Sequence, residues 1–435
     1  MSDITFGIAA VVVLLVFFLS GIELALAIGI VGFVGYAHLT SFNSALNLVA
    51  KDFFDTFTSY SLTVIPLFVL MGQVAYHSGT AKKMYEAAYR FIGFIPGGLA
   101  MATVVAATFF KAMCGSTFAT VVAFSSIAVP EMVRYGYSKK LATGLVATVG
   151  TLGIILPPSV VLIIFGLITE QSIGRLFLAG LTPGLMIAFL FMVVTWAWVR
   201  INPAIAPRGE SFSWKDKIRV LPDFLWVALV FGFVMGGLMK GLFSPTEAGS
   251  VGLCAVLILA FGKEKFKLKS LIAPIDESLQ TACMVLMLIA CSTVFGHFLT
   301  ITEIPLVAAD WTASLPLNRN WIMIFIILIY LIGGSFIDDL AFMILATPIF
   351  YPVIMKLGFD PIWFAIIIGI TVMIGVVIPP VAIGVFLVRQ ITGEPFKLIY
   401  AGVYPFLGGL IVALIIMFIF PGIATFLPDM VMGKR

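Results

Sequence analysis

One pattern of helix breakers occurs twice in this chain. Residues 115–158 run from Gly115-Ser116 through Pro130 and Gly136 to the segment GIILPPS at 153–159. Residues 334–380 run from Gly334-Ser335 through Pro352 and Gly358 to GVVIPPV at 375–381. From Pro130 onward the spacing is constant: Pro130 and Pro352, Gly136 and Gly358, Gly153 and Gly375, Pro157 and Pro379, and Pro158 and Pro380 each stand 222 positions apart. A Pro-Pro pair removes two backbone donors and clashes with the turn before it, so a helix is unwound there. The breaks interrupt a sequence that is 61% hydrophobic and 11% charged, whereas soluble domains carry roughly 25% charged residues. Apolar runs at 4–20, 185–199, 224–239, 283–295 and 406–420 approach or reach the ~20 residues that span a bilayer core, and such runs leave no room for a soluble domain. The sequence predicts an all-α integral membrane protein.

Charge then orients the chain. The net charge of +4 resides in loops, where it sets topology and gives no reason to expect a nucleic-acid partner. Residues 200–219 hold Arg200, Arg208, Lys215, Lys217 and Arg219, and 263–269 hold Lys263, Lys265, Lys267 and Lys269, so both loops are expected on the cytoplasmic side. Two spans, 221–239 and 245–262, fit between them. A first hairpin is predicted over 97–134, split at Cys114-Gly115-Ser116-Thr117, with Lys82, Lys83 and Arg90 before it and Arg134, Lys139 and Lys140 after. Both its ends are expected inside. A second hairpin over 318–356, with its tip at Gly333-Gly334-Ser335-Phe336, has only Arg319 and Lys356 nearby and is expected to start and end outside. Spacing and charge thus predict two repeats in opposite orientation, each a re-entrant hairpin followed by a broken helix (138–169 and 360–391).

The expected organisation is an N-terminal scaffold at 1–60, a first transport repeat at 61–173, further scaffold at 174–262, a second transport repeat at 263–397 and a C-terminal helix at 398–435. Residues 78–94 read as an amphipathic interfacial helix, with 263–275 a weaker example, and 300–314 as an outside segment. Residues 4–20 lack a basic n-region and a small-residue cleavage site and read as a retained span. Cys114, Cys254, Cys283 and Cys291 have no metal-ligand spacing and are expected as free thiols.

Unwound backbone in hydrocarbon survives only where protein, water or an ion supplies partners. Paired breaks in two halves of an apolar chain therefore point to the substrate site of a secondary transporter. Carbonyls freed by the double prolines are ready ligands for a hard cation such as sodium, helped by the negative end of the preceding half-helix. Ser116, Thr117 and Thr120 at the first tip, and Ser335 with Asp338 at the second, add side-chain oxygens. Asp338 and Asp339 are intramembrane carboxylates: either the tip lies close enough to water to solvate both, or one is solvated while the other serves an ion or the transport step. Lys111, five residues before Ser116, either attracts an anionic substrate group or snorkels or pairs with an acid. His297 and Glu23 read as packing or interfacial residues. HExxH, GxSxG and Walker motifs are missing, so an enzyme is not expected.

The runs IPLFVLMGQVAYHSGTAKK (65–83), PGGLAMATVVAATFFKAMCGSTFATVV (96–122), VPEMVRYGYSKKLATGLVATVGTLGIILPPSVVLIIFG (129–166), LFLAGLTPG (176–184) and FIDDLAFMILATPIFYPV (336–353), followed by GVVIPPVAIGVFLV, resemble the large membrane subunit of TRAP transporters, the tripartite ATP-independent periplasmic type. Many members have Gly after the second double proline, where Val381 stands here. The resemblance implies an elevator-type symporter for sodium and an organic anion in the bacterial inner membrane, braced by a small four-helix membrane subunit and supplied by a periplasmic substrate-binding protein. It implies two or more sodium ions. The first would be held by Cys114, Ser116, Gly153, Leu156 and Pro158; the second by Gly333, Ser335, Gly375, Ile378 and Pro380. The substrate would lie between the tips, near Thr117, Thr120, Ser159 and Asp338. Alternatives are a symporter that needs no binding protein and an anion channel.

Overall fold

The computed structural model describes residues 3–207, 209–262, 266–336, 338–380 and 382–433; Arg208, Lys263, Lys265 and Val381 lie outside the described residues. The first half runs through α1 (Asp3–Leu19), α2 (Leu24–Leu39), α3 (Phe42–Thr58), α4 (Val64–His77), α5 (Thr80–Ile92), α6 (Gly98–Cys114), α7 (Thr117–Arg134), α8 (Lys139–Val149), α9 (Val160–Ile168) and α10 (Ile173–Ile201). The second runs through α11 (Trp214–Met239), α12 (Pro245–Gly262), α13 (Ile272–Ile301), α14 (Ile304–Ser314), α15 (Arg319–Phe336), α16 (Asp339–Lys356), α17 (Pro361–Gly375), α18 (Ile383–Thr392), α19 (Phe396–Ile419) and α20 (Gly422–Met432). Among the described residues all regular elements are helical, and eight helices are long and apolar enough to cross a membrane. The chain is a multi-pass membrane protein.

The 222-residue offset reaches well beyond the breaks. It carries the bounds of α7 onto those of α16 and the first residue of α8 onto that of α17. It also carries α2 into α12 and α10 across α19, with Pro183 of α10 landing on Pro405 of α19. Capping explains part of this register. Ser116 Oγ accepts the Ala119 N–H at the start of α7 (3.3 Å), and 222 positions later Asp338 accepts those of Leu340 (3.1 Å) and Ala341 (3.3 Å) at the start of α16. Each cap satisfies donors that the first turn leaves without helical partners.

The helices then pack by exchange between the halves. On α2, Gly29 and Gly32 lie against Cys291 and Phe295 of α13; on α12, Gly249 and Gly252 lie against Leu67 and Met71 of α4. Shifting the contact between 29 and 291 by 222 in opposite directions gives 251 and 69, on the same helix pair and in the same register as the second contact. The two copies thus interlock about a pseudo-two-fold, each laying a small-residue helix on a helix of the other. Small residues permit this close approach where no hydrophobic force drives helices together in lipid.

Both hairpins double back. Phe110 of α6 meets Phe124 of α7 with ring centroids 5.9 Å apart, and Thr103 meets Met132 at 3.7 Å. Tyr330 of α15 meets Phe342 of α16 edge-to-face with centroids 5.6 Å apart, while its hydroxyl meets Thr347 at 3.3 Å. The second tip departs from the expected one. Gly333, Gly334 and Ser335 remain helical within α15, the Ser335 hydroxyl donates to Ile332 O (2.7 Å), and the turn follows Phe336 with Asp338 as its cap. Gly333 is small because the Phe342 ring covers it, and Gly375 because it rests on the backbone of Gly334. Residues 304–314, expected as an outside segment, form α14, which packs on α16 and ties to it through Asp310 and Lys356.

Candidate functional site

Each hairpin tip abuts an interrupted helix. After α8 the chain tightens into a 3₁₀ turn, Gly150–Ile154, and is non-helical until Ser159. Ser159 donates to Ile154 O (2.6 Å) and accepts the Leu162 N–H (3.3 Å), so one hydroxyl closes the break and caps α9. In the second copy α17 stops at Gly375 and α18 starts at Ile383, after Ala382 in the left-handed region at φ 43°. Both Pro-Pro peptide bonds, Pro157-Pro158 and Pro379-Pro380, are cis.

Glycine brings tip and break into backbone contact. A Cβ on Gly115 would lie 2.8 Å from Pro158 O, and one on Gly375 would lie 2.8 Å from Gly334 C and 2.9 Å from its O. Gly115 also adopts φ 60°, the left-handed conformation that ends α6. The copies also differ behind the tips. Lys111 of α6 is fully buried, and a Cβ on Gly153 would collide with its Nζ, Cε and Cδ. The residue 222 positions on from Lys111 is Gly333, under the Phe342 ring.

Between the tips lies a cavity of about 470 Å³. Gly115, Ser116, Thr117 and Phe118 line it from the first tip, Asp338 and Leu340 from the second, Gly153 and Val376 from the interrupted helices, and Val160 and Ile383 from the helices that resume after the breaks. Of the residues expected at the site, Ser116, Thr117, Gly153 and Asp338 reach this space. Others sit behind it: Thr120 is buried and donates to Ser116 O (3.1 Å), Cys114 is buried with Sγ 3.9 Å from the same oxygen, and Leu156 packs against Gly184. Ser159, Lys111 and Gly375 are buried, Ser335 faces the backbone of its own helix, Ile378 is half-buried and Pro380 is exposed.

The remaining wall comes from two helices that the site prediction left out. Gln73 of α4 and Glu277, Gln280 and Thr281 of α13 face the cavity, and His77 Nε2 lies 3.1 Å from Glu277 Oε2, joining the two helices. Positions 277, 280 and 281 share one face of α13 by helical spacing, which is the signal that marks them in the sequence. Among the described residues lining the cavity there is no Lys or Arg, while Glu277 and Asp338 are both acidic. The positive charge on offer comes from the N-terminal ends of α7 and α16, whose first residues or caps border the space.

The sequence matches the family described as "Tripartite ATP-independent periplasmic transporter, DctM component" over residues 11–423. It is 35% identical over 384 residues to the C4-dicarboxylate TRAP transporter large permease protein of Pseudomonas aeruginosa, covering 88% of this chain and 89% of that one. It is 31% identical over 373 residues to the ectoine TRAP transporter large permease protein of Halomonas elongata, covering 85% of this chain and 86% of the relative. The YdaH transporter of Alcanivorax borkumensis has the same fold, with a TM-score of 0.64 at 14% identity over 87% of this chain and 89% of that one. With family match, relatives and fold in agreement, the chain belongs to the DctM component family of tripartite ATP-independent periplasmic transporters, as a large permease.

Proposed function

We propose that the chain is the permease subunit of a sodium-coupled symporter that imports a small organic anion, a carboxylate or a sulfonate, across the bacterial inner membrane. The observation that carries this reading is the cavity, whose walls include two hairpin tips and two interrupted helices related by one offset. An organic anion in a space edged by Glu277 and Asp338 needs positive charge beyond two helix ends. Sodium at the tip–break junctions supplies it, held by carbonyls that the double prolines release. Loop charge supports opposite orientation of the two copies, and hence re-entrant hairpins entering from opposite faces. On this reading the tips and interrupted helices move together past the remaining helices, as an elevator, and carry the cavity from one side to the other. The names of the relatives, which specify a C4-dicarboxylate and ectoine, support a small organic solute. The family name, tripartite, supports two partners: a small four-helix membrane subunit and a periplasmic substrate-binding protein.

Uptake into proteoliposomes containing the permease and the small membrane subunit tests this. Transport should require both an inward sodium gradient and added binding protein. Uptake without binding protein would instead identify a self-sufficient symporter, and flux unchanged when choline replaces sodium would identify a channel.

A further inference from the structure

We propose that the ammonium of Lys111 is the resident cation of the first tip–break junction, which leaves sodium to the second. The inference rests on the sodium-coupled reading above and assigns its ions. Lys111 is fully buried in the last turn of α6, where the carbonyl end of the helix favours positive charge. Its side chain packs onto Gly153, near the end of the 3₁₀ turn that continues α8. Gly153 is one of the residues that the resemblance places around the first sodium ion. A tethered ammonium competes with a dissolved ion at a much higher effective concentration. Two like charges in one shell of carbonyls also repel at short range.

The second junction is built otherwise. In the register of Lys111 it has Gly333, covered by the Phe342 ring, and Gly375 there rests directly on the backbone of Gly334. The position equivalent to Lys111 thus carries no ammonium in the second copy. A duplicated scaffold thus holds one cation by covalent attachment and one by exchange with solution.

Radiolabelled sodium bound to the purified permease with its small membrane subunit, counted per permease chain by equilibrium dialysis, is the test. The wild type should bind one ion, and Lys111→Ala, which vacates the first junction, should bind two. Two ions on the wild type would overturn the role of Lys111 while leaving sodium coupling intact, and one ion on both proteins would overturn it as well. No binding to either would remove the sodium reading itself. A second measurement needs no variant: sodium-dependent thermal stabilisation of the wild type should rise with a Hill coefficient near one, and a value near two would overturn the proposal.

Discussion

Gly153 has no side chain because Lys111 already occupies the space in front of it. Gly153→Ala drives a methyl group into the lysine chain, and overpacking of this kind costs about 1–3 kcal/mol. The melting temperature should fall. In a Lys111→Ala background the collision is gone and the same substitution should cost little, so melts of the four proteins form a double-mutant cycle with strong coupling. Additive losses would mean that the two residues do not share one space. Asp338 allows stability and transport to be separated. Asp338→Ala removes the cap on the Leu340 and Ala341 N–H groups and should cost about 0.5–2 kcal/mol, whereas Asp338→Asn keeps an acceptor and should melt close to wild type. If the carboxylate also attracts the transported cation, Asp338→Asn should weaken the apparent sodium affinity roughly tenfold, or about 1.4 kcal/mol. An unchanged sodium titration would leave it only the cap.

Between elements, the exchange packing depends on what each glycine touches. A Cβ on Gly32 of α2 would meet the backbone of Phe295 at 2.8 Å, which cannot yield without moving α13. A Cβ on Gly252 of α12 would meet the Met71 sulfur at 2.7 Å, the flexible end of an adaptable side chain. Gly32→Ala should therefore destabilise by about 1–3 kcal/mol and Gly252→Ala by distinctly less, although the two glycines serve equivalent helix pairs. Equal losses in thermal melts would contradict the packing. The same distinction explains what the sequence conceals. Gly333-Gly334-Ser335 has the composition of a break, yet α15 runs through it: Gly333 admits the Phe342 ring, and neither glycine is at positive φ. Aligning the tips on Gly-Ser pairs Gly115 with Gly334, three positions short of the offset that the helices keep; the structural counterpart of Ser116 is Asp338. Double prolines and loop charge are legible because the bilayer punishes unpaired backbone and sorts basic loops. The kinship of α2 with α12 has no such signature. Any apolar sequence with small residues on one face would serve, so the match appears only in helix bounds and contacts.

For the whole molecule, a built-in cation alters the energetics of transport in a way that can be measured. Lys111 lies on α6, within the repeat that is proposed to move, so its charge crosses with the substrate and returns with the empty carrier. Over a full cycle it transfers no net charge. One sodium ion carried with a monovalent anion then makes uptake electroneutral, driven by the sodium gradient alone. With two sodium ions the cycle would move one net positive charge, worth about 2.3 kcal/mol at 100 mV, or roughly 40-fold further accumulation at about 1.4 kcal/mol per tenfold. Wild-type proteoliposomes supplied with a monovalent substrate and its binding protein should therefore accumulate it to the same level whether or not a potassium diffusion potential, negative inside, is imposed. In Lys111→Ala the vacated junction takes a second sodium ion, and accumulation should become sensitive to that potential. A wild type already stimulated by the potential would place a mobile ion where the lysine is proposed to stand. Two variants of one chain, differing at a single buried ammonium, would then differ in electrical coupling while sharing the same fold, cavity and partners.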